Sequence, residues 1–202
     1  WRDAGTPGEP AWGLYCAAAA AAALRASPPL LAELAAALRE GGMTTWTANA
    51  FPFGGFHAAR VKERAFLPDW SSPERLRFSM DVAEILDALA PPGAAISIST
   101  CPLGYGPSAR AAASARAHLL RARDHCDALA ERRGAAVVLA LEPEPDGAFE
   151  RVADLCGWLT ELEGDRGGGT RRLGVCWDLC HAAVVEESVA DILRSLEQTG
   201  RV

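Results

Sequence analysis

The sequence predicts an α/β fold of the (β/α) TIM-barrel type, incomplete, with about five of the eight βα units that close such a barrel. Three observations carry that expectation. Short apolar runs alternate with longer stretches of helical period, the pattern of βαβ units around a parallel sheet. Polar residues gather where those runs end, at Asn49, Ser99, Thr100, Glu142 and Asp178, the end of the strands where a barrel keeps its chemistry. A doubly wound sheet would carry a glycine-rich first turn, and none is present.

Each element has a local reason. Residues 12–16 read as a short strand, followed by helical stretches over 17–26 and 30–40, with Pro28-Pro29 breaking and restarting the helix. Gly41-Gly42 stops the second stretch, and the β-branched and aromatic content of 43–49 makes it the next strand. A loop with Pro52, Gly54 and Gly55 follows. Residues 73–90 have helical period and end at Pro91-Pro92-Gly93; 94–100 is the third strand. Ser108 is positioned to cap a helix running to about Arg133, which Gly134 terminates. A strand over 135–142, a helix over 147–163, a turn at Gly167-Gly-Gly169, a strand over 173–178 and a helix over 186–198 complete one partial barrel domain, 1–202. The sheet edges at 12–16 and 173–178 are then expected to be unpaired. The chain starts without Met and is expected to begin inside a longer gene.

Composition narrows the function. Half of the residues are hydrophobic and 23% are charged, values of a globular chain. The net charge of −6 argues against a nucleic-acid partner, because a phosphate-tracking surface needs clustered Lys and Arg. The polyalanine stretch 17–23 is too short to span a membrane, and no basic-then-apolar leader is visible, so a cytoplasmic location is expected. The six Cys are irregularly spaced and read as reduced thiols. Cys176, Cys180 and His181 have no C-x-x-C pair, which weighs against a zinc cluster.

The chemistry concentrates in two stretches, Leu141-Glu-Pro-Glu-Pro145 and Leu173-Gly-Val-Cys-Trp-Asp-Leu-Cys-His181. Glu142, Asp178 and His181 at neighbouring strand ends form a donor set for a divalent cation, Mn, Zn or Mg. Glu142 and His181 are the candidate catalytic residues, Glu142 as ligand or base. Glu144 lies two residues on, with Pro143 leaving its direction open, and joins the candidate substrate-binding residues. The bland alternatives are specific. Glu142 would pair with an Arg or cap a helix near Gly147; Asp178 would cap the next turn while His181 donates to backbone. Asn49, His57 and Lys62 are further substrate-binding candidates, on a loop where Phe51, Phe53 and Phe56 would wall an apolar metabolite or simply pack on the barrel top. His118 and His125, seven apart on one helix, are expected on the outer helix surface.

These two motifs resemble those of the xylose-isomerase-like barrel superfamily of sugar isomerases, epimerases and zinc-dependent apurinic endonucleases. A narrower resemblance runs through Asn49-Ala-Phe-Pro-Phe-Gly-Gly-Phe-His57, Val61-Lys-Glu, Leu67-Pro-Asp-Trp70 and Ser97-Ile-Ser-Thr-Cys-Pro102 to the E component of the Ebo metabolite-traffic family. It implies that the first barrel strand and the last two are missing. It also implies that Glu142 and Asp178 are metal ligands, that His181 touches substrate or a second metal, and that the remaining ligands come from later strands. The implied function is a metabolite-traffic protein binding or isomerising a small polyol or carbonyl compound, with other proteins of the same gene cluster as possible partners. A non-catalytic carrier or assembly component is the alternative reading, and a metal-dependent endonuclease is third.

Overall fold

The computed structural model describes residues 10–54, 62–164 and 171–201. Five parallel strands pair strictly in chain order: β1 (Leu14–Tyr15), β2 (Thr47–Asn49), β3 (Ile96–Thr100), β4 (Val137–Leu141) and β5 (Leu173–Val175). A doubly wound sheet reverses direction at a switch point. This one never does, and it has the barrel-type order that the sequence predicts. Among the described residues the outer edges of β1 and β5 pair with no further strand.

Register follows the alternation of the strands. Ile98 pairs with Ala48 on one side and Leu139 on the other, while Asn49, Ser99 and Ala140 form the next row. Val137, Leu139 and Leu141 are buried beneath the helices, so Val138, Ala140 and, one step further, Glu142 face the opposite side of the sheet. That side carries small and polar residues, including a hydrogen bond from Ser97 Oγ to Thr47 Oγ1.

The helices cover the other side. α1 (Ala18–Ala26) and α2 (Pro28–Glu40) are separated at Ser27, whose hydroxyl caps α2 and precedes Pro28. α3 (Pro73–Leu89) buries Leu76, Val82, Ile85 and Leu86 along one stripe, and α4 (Ala113–Arg133) buries Leu119, Ala122, Cys126 and Leu129. Each such Leu contributes about 1.5–3 kcal/mol of burial. Gly134 ends α4 in the left-handed conformation, φ 68°, as expected.

The strands are shorter than the sequence reading has them, β2 keeping Thr47–Asn49 of 43–49 and β5 Leu173–Val175 of 173–178, α2 starts two residues early at Pro28, and three further helix boundaries differ. Ser108 caps no long helix: Gly106 at φ 72° and Pro107 open a separate 3-10 turn, Pro107–Ala111, and α4 begins after Ala112 without a side-chain cap. The helix expected from 147 begins at Val152 as α5 (Val152–Glu163), because the segment before it is held by loop contacts. Ala148 N–H donates to Gly104 O, and Glu144 N–H donates to Phe149 O. Finally, the expected helix 186–198 is α7 (Val189–Thr199), preceded by an unanticipated short helix, α6 (Leu179–Val184).

Candidate metal and substrate site

The site forms at the carboxyl ends of β4 and β5. Glu142 extends the ladder beyond β4, donating its N–H to Thr100 O, and Cys176 N–H donates to Leu141 O on the next strand. Beyond β5 the chain turns into α6, and Asp178 is its N-cap: Oδ1 accepts from Cys180 N–H at 2.6 Å and from His181 N–H at 3.1 Å. The same bonds set the first turn that points His181 back at the β4 end.

His181 Nδ1 lies 3.2 Å from Pro143 O, 3.8 Å from Glu142 Oε1 and 3.8 Å from Asp178 Oδ2. Its Nε2 sits 3.5 Å from Glu144 Oε2, so both ring nitrogens face oxygen atoms. Among the described residues, Glu142, Glu144 and His181 form a group whose ligand atoms all lie within 4.8 Å of one another. Asp178 and both cysteines of the segment stand outside it. Both bland alternatives for the second stretch are realised as hydrogen bonds, the Asp178 cap and the His181 contact to backbone, and they serve to aim the imidazole.

Electrostatics mark the same residues. Burial, reinforced by the Glu144 charge, raises Glu142 to about 6, although His181 pulls the other way. Glu144 is raised by burial, against the attraction of His181. Cys176 is pushed up to about 12 by burial and the neighbouring carboxylates, so it stands as a neutral thiol beside Glu142.

A cleft of about 610 Å³ adjoins this group. Asn49, Phe51 and Phe66 line one part of it, Tyr105 another, and Glu142 and Glu144 the strand-end side. Asn49 Oδ1 accepts from Phe51 N–H at 2.9 Å, which fixes the turn out of β2 and leaves the Asn49 amide nitrogen to the cleft. Phe53 is not a wall: it packs edge-on against Phe78 at 5.3 Å between ring centres. His57 and Phe56 lie outside the described residues. Lys62 opens the 3-10 turn Lys62–Phe66, and nothing is described of its side chain.

The sequence reading passed over Glu63, Tyr105 and Asp146, which also line the cleft. Tyr105 stands between two glycines in a loop that follows a strand, which was the available signal. His118 and His125 are half-buried, not outer-surface residues. His118 Nδ1 is 2.9 Å from Trp70 O, and His125 Nε2 is 3.2 Å from Glu84 Oε1. Neither belongs to the cleft.

No helix of the described residues is long and apolar enough to cross a membrane. No protein-family model matches the chain, and no curated protein matches it. Among solved structures, the chain is similar to the apo form of 3-keto-D-glucoside 4-epimerase, YcjR, from E. coli, at 18% identity and a TM-score of 0.48. The match covers 84% of this chain and 60% of that one, and at that level it assigns no residue a role.

Proposed function

We propose that the chain holds a divalent cation, Mn, Zn or Mg, on Glu142, Glu144 and His181 and isomerises or epimerises a small polyol or carbonyl metabolite in the adjoining cleft. The observation that supports this reading is the convergence of three donor atoms within 4.8 Å, with His181 Nδ1 3.2 Å from Pro143 O. Metal-binding imidazoles characteristically donate their other N–H to a carbonyl or carboxylate, which fixes tautomer and aim. Two half-buried carboxylates whose proton affinity is raised describe a place short of positive charge, and two oxygens with one nitrogen suit a hard or borderline cation.

A bound cation would polarise a substrate carbonyl or hydroxyl. The chain's own residues supply the rest. Glu142, as ligand or base, is placed at the strand end to take a proton from a hydroxyl-bearing carbon beside a carbonyl and return it to the carbonyl carbon, while the hydroxyl proton passes to the carbonyl oxygen. Asn49 offers its amide nitrogen to a substrate oxygen across the cleft. Asp178, one oxygen committed to the α6 cap, is a positioning residue in this reading: it holds the turn and steadies the imidazole from 3.8 Å.

Calorimetric titration of chelator-treated protein with Mn²⁺ and Zn²⁺ tests the reading. About one ion should bind per chain, with affinity reduced at least tenfold in Glu144→Gln and His181→Ala. A chain that binds neither ion overturns it; ligand binding without an ion would instead favour the alternative reading, a non-catalytic carrier.

A further inference from the structure

A thiol, Cys176, borders the proposed cation site. The sheet sets its place: Leu139, Ala140 and Leu141 pair with Leu173, Gly174 and Val175, and Cys176 N–H donates to Leu141 O at 2.8 Å. The next row of the ladder therefore sets Cys176 beside Glu142. Alternation puts both side chains on the small and polar side of the sheet, next to Ala140 and Gly174, which place no bulk between them. After Cys176 the chain is pinned again, by Trp177 against the small core of Val152, Cys156 and Ile192, and by the Asp178 cap.

The two side chains meet. The Cys176 thiol hydrogen-bonds the Glu142 carboxylate. His181 Nδ1, at 3.8 Å from Glu142 Oε1, is beyond hydrogen-bond reach of it. Yet Cys176 stands outside the group whose donor atoms all lie within 4.8 Å of one another. Its sulfur is thus placed as a partner of the carboxylate and not as a fourth donor.

We infer that Cys176 is a positioning residue of the cation site: its S–H donates to Glu142 and holds that carboxylate turned toward Glu144 and His181, while the sulfur does not ligate the ion. The inference rests on the proposed cation site and adds to it a residue beyond the three donors. A glutamate side chain loses rotamer freedom when an ion orders it, and one already held has less to lose. A thiol is a weak donor, but toward an ionised carboxylate its bond is charge-assisted. Partners that hold a metal ligand in this way contribute about 10–100-fold to ion affinity, and a weak donor belongs at the low end.

The test is calorimetric titration of chelator-treated protein with Mn²⁺ and Zn²⁺, on the parent chain, Cys176→Ser and Cys176→Ala. Serine keeps a donor and should bind both ions within about threefold of the parent; alanine removes it and should weaken both by about tenfold. If the alanine variant fails to fold, Cys176→Val, which fills the space without a donor, takes its place. Equal losses for the two ions mark positioning, because zinc takes sulfur readily and manganese prefers oxygen. A thiolate ligand would make zinc lose far more than manganese, and serine would not rescue it. The Co²⁺ form of the parent needs no variant: it should show no thiolate-to-metal charge-transfer band in the near ultraviolet. Such a band, a zinc-selective loss, or a donor-free variant at parental affinity each overturns the inference and leaves the cation site standing. A parent that binds none of the ions defeats the metal reading, and the inference falls with it.

Discussion

Glu142 is the residue on which local electrostatics and function meet. Its ordinary value of 4.5 rises to about 6 in the fold, chiefly through burial. A carboxyl whose folded value is raised binds its proton more tightly in the native state. Stability must therefore fall as pH rises from about 4.5 to about 6, and the full penalty stays above that window. The gap corresponds to about 2 kcal/mol. In chelator, Glu142→Gln should remove this slope and melt higher than the parent above pH 6, by up to about that amount. Thermal melts of both proteins between pH 4 and 8 will show it, and superimposable curves would mean that Glu142 is solvated in solution. With a cation bound, the parent should lose the penalty, because the ion favours the ionised form.

Among the elements, the turn between β4 and α5 decides the shape of the site. Gly147 N–H donates to Glu144 O, and a Cβ at Gly147 would come within 2.9 Å of that oxygen and of Pro102 Cγ. Gly147→Ala must push the Glu144 turn or the Pro102 loop aside, at a cost of about 1–3 kcal/mol. The expected result is a lower melting temperature together with weaker Mn²⁺ binding; a variant with unchanged metal affinity would detach Glu144 from the site. This turn also shows where sequence reasoning ran out. The cores of β3, β4 and α3 were legible because their apolar residues recur with the period of the element. The start of α5 was not, since 144–149 is held by bonds to Gly104 and Gly106, partners far away in the chain. Asp178 and Glu142 were legible as strand-end acids. The cap by Asp178 was legible as an alternative, but α6 itself escaped notice because a six-residue helix shows too little periodicity to detect. Glu144 was found as a residue but not in its place in the donor group, because only the observed turn brings its carboxylate to His181 Nε2.

At the scale of the whole molecule, the site straddles a seam. Glu142 and Glu144 belong to the sheet and its main core, whereas His181 rides on α6, which packs into a separate small core of Val152, Cys156, Ala182, Ile192 and Leu196. Two contacts clamp α5 to this second unit. Glu187 accepts from Val152 and Ala153 N–H at the start of α5, at 2.9 and 3.1 Å. At its end, the buried Glu163 pairs with buried Arg201 at 2.8 Å, and Arg201 also donates to Leu173 O on β5. Leaving one charge of such a pair buried alone costs about 3–5 kcal/mol. Glu163→Ala should therefore loosen α6 and α7 before the sheet opens, so that hydrogen exchange accelerates over 179–199 while β3 and β4 keep their protection. Mn²⁺ affinity should fall with it, although Glu163 is not in the donor group, because His181 loses its fixed aim. Should Glu163→Ala prove too damaging to purify, Glu187→Gln removes only the charge at the start of α5, worth about 0.3–1 kcal/mol, and should shift exchange and affinity in the same direction. Loss of protection spread evenly over all five strands would show instead that the two cores unfold as one cooperative unit.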